Sequence, residues 1–102
     1  MSKYRGRRPS QLARLIWNFY RENTTEQTRL TPLANCQVFR RWGVLHFRCP
    51  NAQVAHALLN IREIIALPIA KLRIAHHMKI LINHQLIADV PIKFDQMDQK
   101  VV

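Results

Sequence analysis

Two glycines, Gly6 and Gly43, are all that this 102-residue chain contains, and no other feature restricts its backbone as much. Glycine reaches left-handed conformations without steric cost, so tight turns and loops that approach a ligand closely draw on it. With two, there is no glycine-rich phosphate cradle and no dinucleotide fingerprint. Gly43 does have a natural use. It follows Arg41-Trp42 and precedes the alternating run Val44–Cys49, while Leu33 to Arg41 before it is rich in β-branched, aromatic and Cys residues. This pattern predicts a hairpin with Leu33–Arg41 and Val44–Cys49 as its strands. In the second strand Leu45, Phe47 and Cys49 share one face, expected in the core, and Val44, His46 and Arg48 share the other.

The rest of the chain arranges itself around that hairpin. Residues 1–9, MSKYRGRRP, form a basic arm without an acid, expected to be disordered when free. Ser10 is a suitable N-cap for a helix whose stripe Leu12, Leu15, Ile16, Phe19 and Tyr20 faces the core, with Trp17 beside it. Asn23–Thr31 reads as a connection. Asn51 caps a helix carrying Val54, Ala55, Leu58, Leu59, Ile61 and Ile65, which is either buried on more than one side or broken near Asn60. Pro68 is expected to kink the chain, with a second helical piece through Ile69–Ala75. Met78–Asn83 alternates as a third strand, and the chain becomes polar after Asp89. The expected organisation is an arm over 1–9, one α+β domain over 10–88, and a polar tail over 89–102. Its order is helix, strand, strand, helix, helix, strand, giving a three-stranded sheet with helices on one face and the other face open.

Nearly half of the residues are apolar, so the charge must lie on the outside of a folded body. That charge is a formal +10, from sixteen Lys and Arg against six Asp and Glu. Eleven of the sixteen are Arg, whose planar fork pairs with phosphate and whose face stacks on bases. Such a bias points to nucleic acid as partner, DNA or RNA. The candidate contacts are Lys3, Arg5, Arg7 and Arg8 in the arm, then Arg48 and Lys79 on the open sheet face with His46, and Arg40 or Arg41 at its edge. Tyr4 and Trp42 are the aromatics placed to stack on bases, most of the others being expected in the core. A basic protein-interaction module is the alternative from a different class.

Other chemistry finds little to work with. The six acids are scattered, so no acid/base pair is proposed and no enzyme is expected. Cys36 and Cys49 are too far apart in sequence for a zinc knuckle, and His76-His77 and His84 reproduce no zinc spacing. Free thiols are expected, with no metal and no cofactor. No apolar run approaches a membrane span and residues 1–20 lack the pattern of a secretory signal, so a soluble, cytoplasmic protein is expected.

The element order resembles the type II KH fold, although the position of its Gly-x-x-Gly loop reads Leu59-Asn60-Ile61-Arg62. Without those glycines the standard KH grip on a nucleic-acid backbone is missing. Over residues 10–83 the chain is similar to a KH-like module lacking that loop, found in the DciA helicase-operator family of bacteria. The resemblance lies in the early helix from Leu12 to Trp17, Thr31-Pro32, the strand Gly43-Val44-Leu45-His46-Phe47, and the helix from Val54 to Leu59. It implies an accessory protein of DNA replication that engages DNA and the replicative helicase together and assists helicase loading.

Overall fold

The computed structural model describes residues 11–93. The expected N-cap Ser10, the basic arm and the residues after Lys93 lie outside that range. The elements are α1 (Gln11–Phe19), α2 (Thr24–Thr28), a 3-10 turn (Thr31–Asn35), β1 (Gln37–Arg41), β2 (Val44–Cys49), α3 (Ala52–Asn60), α4 (Arg62–Lys71), β3 (His77–Ile82) and β4 (Gln85–Pro91). The sheet has four strands in the order β1-β2-β3-β4, where three were expected. The β1–β2 and β3–β4 pairs are antiparallel, and β2–β3 is parallel. The parallel pair needs a long crossover, which α3 and α4 provide.

The predicted hairpin forms, with Arg41 opposite Val44 and a two-residue loop of Trp42 (φ 58°) and Gly43 (φ 74°). Positive φ at both loop positions is the type I′ geometry whose twist matches that of the strands. Its first strand is shorter than expected. Residues 31–35 wind into the 3-10 turn instead, with Pro32 in its first turn and Leu33 buried against the core. Upstream, the stretch expected to be a plain connection holds α2, because the Asn23 side chain accepts from the amide of Glu26 and caps it.

The first helix presents a narrower stripe than its sequence suggests. Ala13, Ile16 and Tyr20 are buried and Leu12 is half-buried, but Leu15 and Phe19 turn outward, 44% and 36% exposed. Small Ala13 lies on the side of α1 that packs toward the rest of the fold, which places Leu15 and Phe19 at the margins of that contact. The long apolar segment after Asn51 breaks at Ile61, so α3 and α4 pack as separate helices. Asn51 caps α3 as expected, its side chain accepting from the amide of Val54.

Pro68 lies inside α4, not between two helical pieces, and the helix ends at Lys71. A proline removes the amide that would bond the carbonyl four residues earlier, here that of Ile64. The Tyr20 hydroxyl, in the turn that follows α1, donates to that same carbonyl at 2.6 Å and satisfies it. Burial, aided by the Glu26 charge, pushes the Tyr20 phenol up to about 12 from 10.0. Its neutral form is therefore favoured in the folded state, and this contribution to stability is complete below pH 10.0 and lost as pH rises toward 12. Tyr20→Phe orphans the carbonyl, with an expected loss of about 1–3 kcal/mol. Urea titrations near neutral pH should show a lowered midpoint with the slope unchanged, and the decline of stability above pH 10.0 should flatten. An unmoved midpoint would mean that water replaces the phenol.

Between sheet and helices lies a single core. Leu45, Phe47 and Cys49 of β2 point into it as expected, together with Val38 of β1 and Met78 and Ile80 of β3. Ala55, Leu58, Ile65, Ile69 and Ile16 close it from the helical side. The fourth strand carries the folded body past residue 88, where a polar tail was expected to begin, and Ile92 beyond it is buried. Most of β4 is exposed or half-buried, as befits an edge, and Pro91 ends it where no donor to a further strand is needed.

Candidate nucleic-acid interface

The face of the sheet turned away from the helices can be read from the strand register as three rows. Arg41, Val44, His77 and Pro91 form the first, Phe39, His46, Lys79 and Asp89 the second, and Gln37, Arg48, Leu81 and Leu86 the third. This register arises because β2 alternates strictly, its buried residues facing the helices and Val44, His46 and Arg48 facing outward. Arg48 and Lys79 therefore stand where the sequence placed them, and of the two edge candidates Arg41 is on this face. Arg40 is not. It pairs with Leu45 on the helix side, and its guanidinium donates to the carbonyl of Ile74 at 3.0 Å. Lys3, Arg5, Arg7 and Arg8 lie outside the described residues, as does Tyr4.

At the centre of the basic region is Phe39, which nothing in the sequence separates from the core aromatics. Its ring stacks on the His46 ring with centroids 4.9 Å apart and planes parallel. The guanidinium carbons of Arg41 and Arg48 lie 5.8 Å and 5.4 Å from its centroid, within the range of cation–π attraction. Arg48 also donates to the Gln37 side chain at 3.3 Å. Among the described residues Arg41, Arg48 and Lys79 take part in no ion pair; Arg29 pairs with Glu26 at 3.5 Å, and His77 Nδ1 meets Asp89 at 2.9 Å, a contact that is an ion pair only when the imidazole is protonated. The face is thus divided, with Arg41 and Arg48 over β1 and β2, and Lys79 on β3 directly opposite Asp89, which meets His77 at 2.9 Å on the β4 side.

His46 responds to this field. Partial burial, together with Lys79, Arg41 and Arg48, holds its imidazole below its usual 6.5, although the Val44 backbone opposes the shift. At neutral pH the ring is uncharged, which favours its parallel stack with Phe39. Because the folded value is depressed, the stabilisation it brings is present above pH 6.5 and is lost as pH falls through the lowered value.

Trp42 is at the hairpin tip next to Arg41 and is 88% exposed. A bulky side chain in left-handed backbone costs about 1–2 kcal/mol, and here no burial offsets it. Strain at an exposed aromatic is the kind of local cost found at binding sites. Gly43 beside it is held to glycine by its own φ of 74°; a Cβ there would also lie 2.6 Å from Nε2 of His76, an exposed side chain that can swing aside. Trp42→Asn should raise the unfolding free energy by about 1 kcal/mol, because Asn suits the first loop position of this turn. Thermal unfolding would show this, and a fall in the midpoint would mean that the indole packs on its surroundings.

Cys36, just before β1, and Cys49, at the end of β2, bring their sulfurs to 3.6 Å, and both thiols are free. Their mutual hydrogen bond and burial push the Cys36 thiol well above its ordinary range, so it is neutral and unreactive as a nucleophile. No group of three or more metal-ligating side chains occurs among the described residues. None of their helices is long and apolar enough to cross a membrane.

The arrangement defines a basic, aromatic-bearing sheet surface on a small α+β scaffold. Comparison with known proteins found no matching family model, no matching curated protein and no matching solved structure.

Proposed function

We propose that this protein is a nucleic-acid-binding accessory protein that holds its polyanionic partner across the open face of the sheet. One observation carries the reading: Arg41, Arg48 and Lys79, none of them in an ion pair among the described residues, gather around Phe39 and His46 on a face that no helix of those residues covers. Phosphates supply the charge that this face lacks, and each one neutralised releases counterions.

The narrower form of the proposal is a role in DNA replication, in which the protein engages DNA and the replicative helicase and assists loading. Its supports are the resemblance of the sequence motifs to the DciA family and an element order close to the KH-like one, here with α2 and β4 added. A second surface supports a protein partner as well. Leu15, Trp17 and Phe19 leave apolar area exposed on α1, an element that contributes nothing to the open sheet face.

Two measurements test the parts separately. Affinity for DNA should fall steeply with salt, the logarithms being linearly related, and salt-insensitive binding or none at low salt would sink the DNA part. Nuclease-treated pull-downs with the full chain should retain the helicase and lose it when Trp17 and Phe19 are replaced by Ser. Absence of the helicase from untreated and treated pull-downs alike would sink the loader part, and competition by structured RNA would move the assignment to an RNA-binding protein.

A further inference from the structure

The nucleic-acid reading leaves open whether the partner is paired or single-stranded, and the β1–β2 hairpin bears on that question. Phe39 stands on an edge strand, its inner side stacked on His46, with no strand of the described residues beyond β1 on its outer side. The guanidinium carbons of Arg41 and Arg48 lie over its ring at 5.8 Å and 5.4 Å, so a base that stacks there meets their cations as well. Three residues along the hairpin, roughly 10 Å at the rise of an extended chain, Trp42 projects almost fully exposed. A duplex offers phosphates to such a face but keeps the flat sides of its bases inside the stack. Only unpaired bases present π-faces to aromatic side chains.

Resting on the nucleic-acid reading above, we propose that the β1–β2 hairpin is a stacking platform for unpaired bases, and that the face prefers single-stranded nucleic acid, with Trp42 and Phe39 under bases and Arg41 and Arg48 on the flanking phosphates. The Trp42 conformation then has a use. A left-handed Trp in full solvent destabilises the free protein, and its large planar surface is recovered when a base covers it. The neutral His46 behind Phe39 backs the platform without adding a charge that would draw the phosphate away from the guanidinium forks. Stacking tolerates any base, so this platform binds without strong sequence preference.

The test uses the full chain with three labelled probes of equal length: an oligothymidylate, an oligouridylate and a mixed-sequence duplex, at one low salt concentration. Both single strands should bind more tightly than the duplex, with quenching of Trp fluorescence. A stacked base contributes about 1–3 kcal/mol, so Trp42→Ala should weaken single-strand binding by roughly 5- to 150-fold and leave duplex binding unchanged. Phe39→Leu, which keeps apolar volume at a half-buried position, should act in the same direction. Preference for one single strand over the other would identify DNA or RNA as its source. Equal affinity for duplex and single strand, or single-strand binding indifferent to both substitutions, overturns the platform while leaving the basic face as a nucleic-acid surface. Failure of all three probes overturns the nucleic-acid reading itself.

Discussion

Replacing Arg41, Arg48 and Lys79 together by Gln should lower the slope of log affinity against log salt by about 2–3, since each lost phosphate contact removes roughly 0.7 for a single strand and 0.9 for a duplex. If the salt lines of the variant and the parent meet near 1 M, that difference makes the variant roughly 500- to 3,000-fold weaker at 50 mM. All three residues stand on the open face and outside the core, and they make no ion pair, so their loss leaves the fold intact. Arg40→Gln is the informative control. Its guanidinium is bonded to the Ile74 carbonyl on the other side of the sheet, so it should change stability and leave the salt slope alone. A triple variant that keeps the full slope would move the binding to the basic arm, and deletion of residues 1–8 would then remove it.

The largest effect on stability is expected at Leu58, which is completely buried where α3 meets the sheet. Leu58→Ala should cost about 2–5 kcal/mol, from lost transfer free energy together with the cavity left behind. Against a total of about 5–15 kcal/mol for a domain of this kind, that loss is a large fraction of the whole. Denaturant unfolding followed by far-UV circular dichroism measures it directly. A near-neutral result would mean that neighbouring side chains collapse into the space, which the packing of Ala55, Ile65 and Phe47 around the core opposes. Thermodynamic stability and binding should separate cleanly between the two variants, because the core and the cationic face lie on opposite sides of the sheet.

Several elements were legible before any coordinates. The alternation in Val44–Cys49 and the Trp42-Gly43 pair define the hairpin locally, because side-chain period and turn chemistry act over a few residues. Asn51 likewise announces α3 through a cap that needs only its own neighbours. The misreadings share a cause. Nothing in Gln85–Pro91 alternates strongly, and it becomes a strand because β3 offers it an unpaired edge. The helical stripe that seemed to include Leu15 and Phe19 is settled by the way α1 meets its neighbours, not by spacing alone. Pro68 should end a helix on local grounds; it does not, because Tyr20, distant in sequence, donates to the carbonyl that proline leaves bare.

The candidate site divides in the same way. Composition and strand alternation were enough to put Arg48 and Lys79 on an outward face and Trp42 at a turn. They did not distinguish Arg40 from Arg41, because that choice depends on a one-residue register fixed only when β1 pairs with β2. Phe39 was hidden for a related reason. An aromatic in a strand is ordinarily core, and only pairing with His46 and flanking by two guanidiniums reveal it as part of a surface.

The scarcity of glycine joins these levels. By itself the sequence determined that this chain carries a large positive charge on a folded α+β body, with one tight hairpin and no phosphate-cradling loop. The tertiary structure decided where left-handed backbone occurs: Trp42, Arg73 and Asn83 take it up alongside Gly43. It also decided which cations share a face and which aromatic they surround. Local pattern fixes what each residue prefers, whereas strand pairing and helix packing fix which preferences are met together, and a binding surface is made of residues distant in sequence that packing brings onto one side of a sheet.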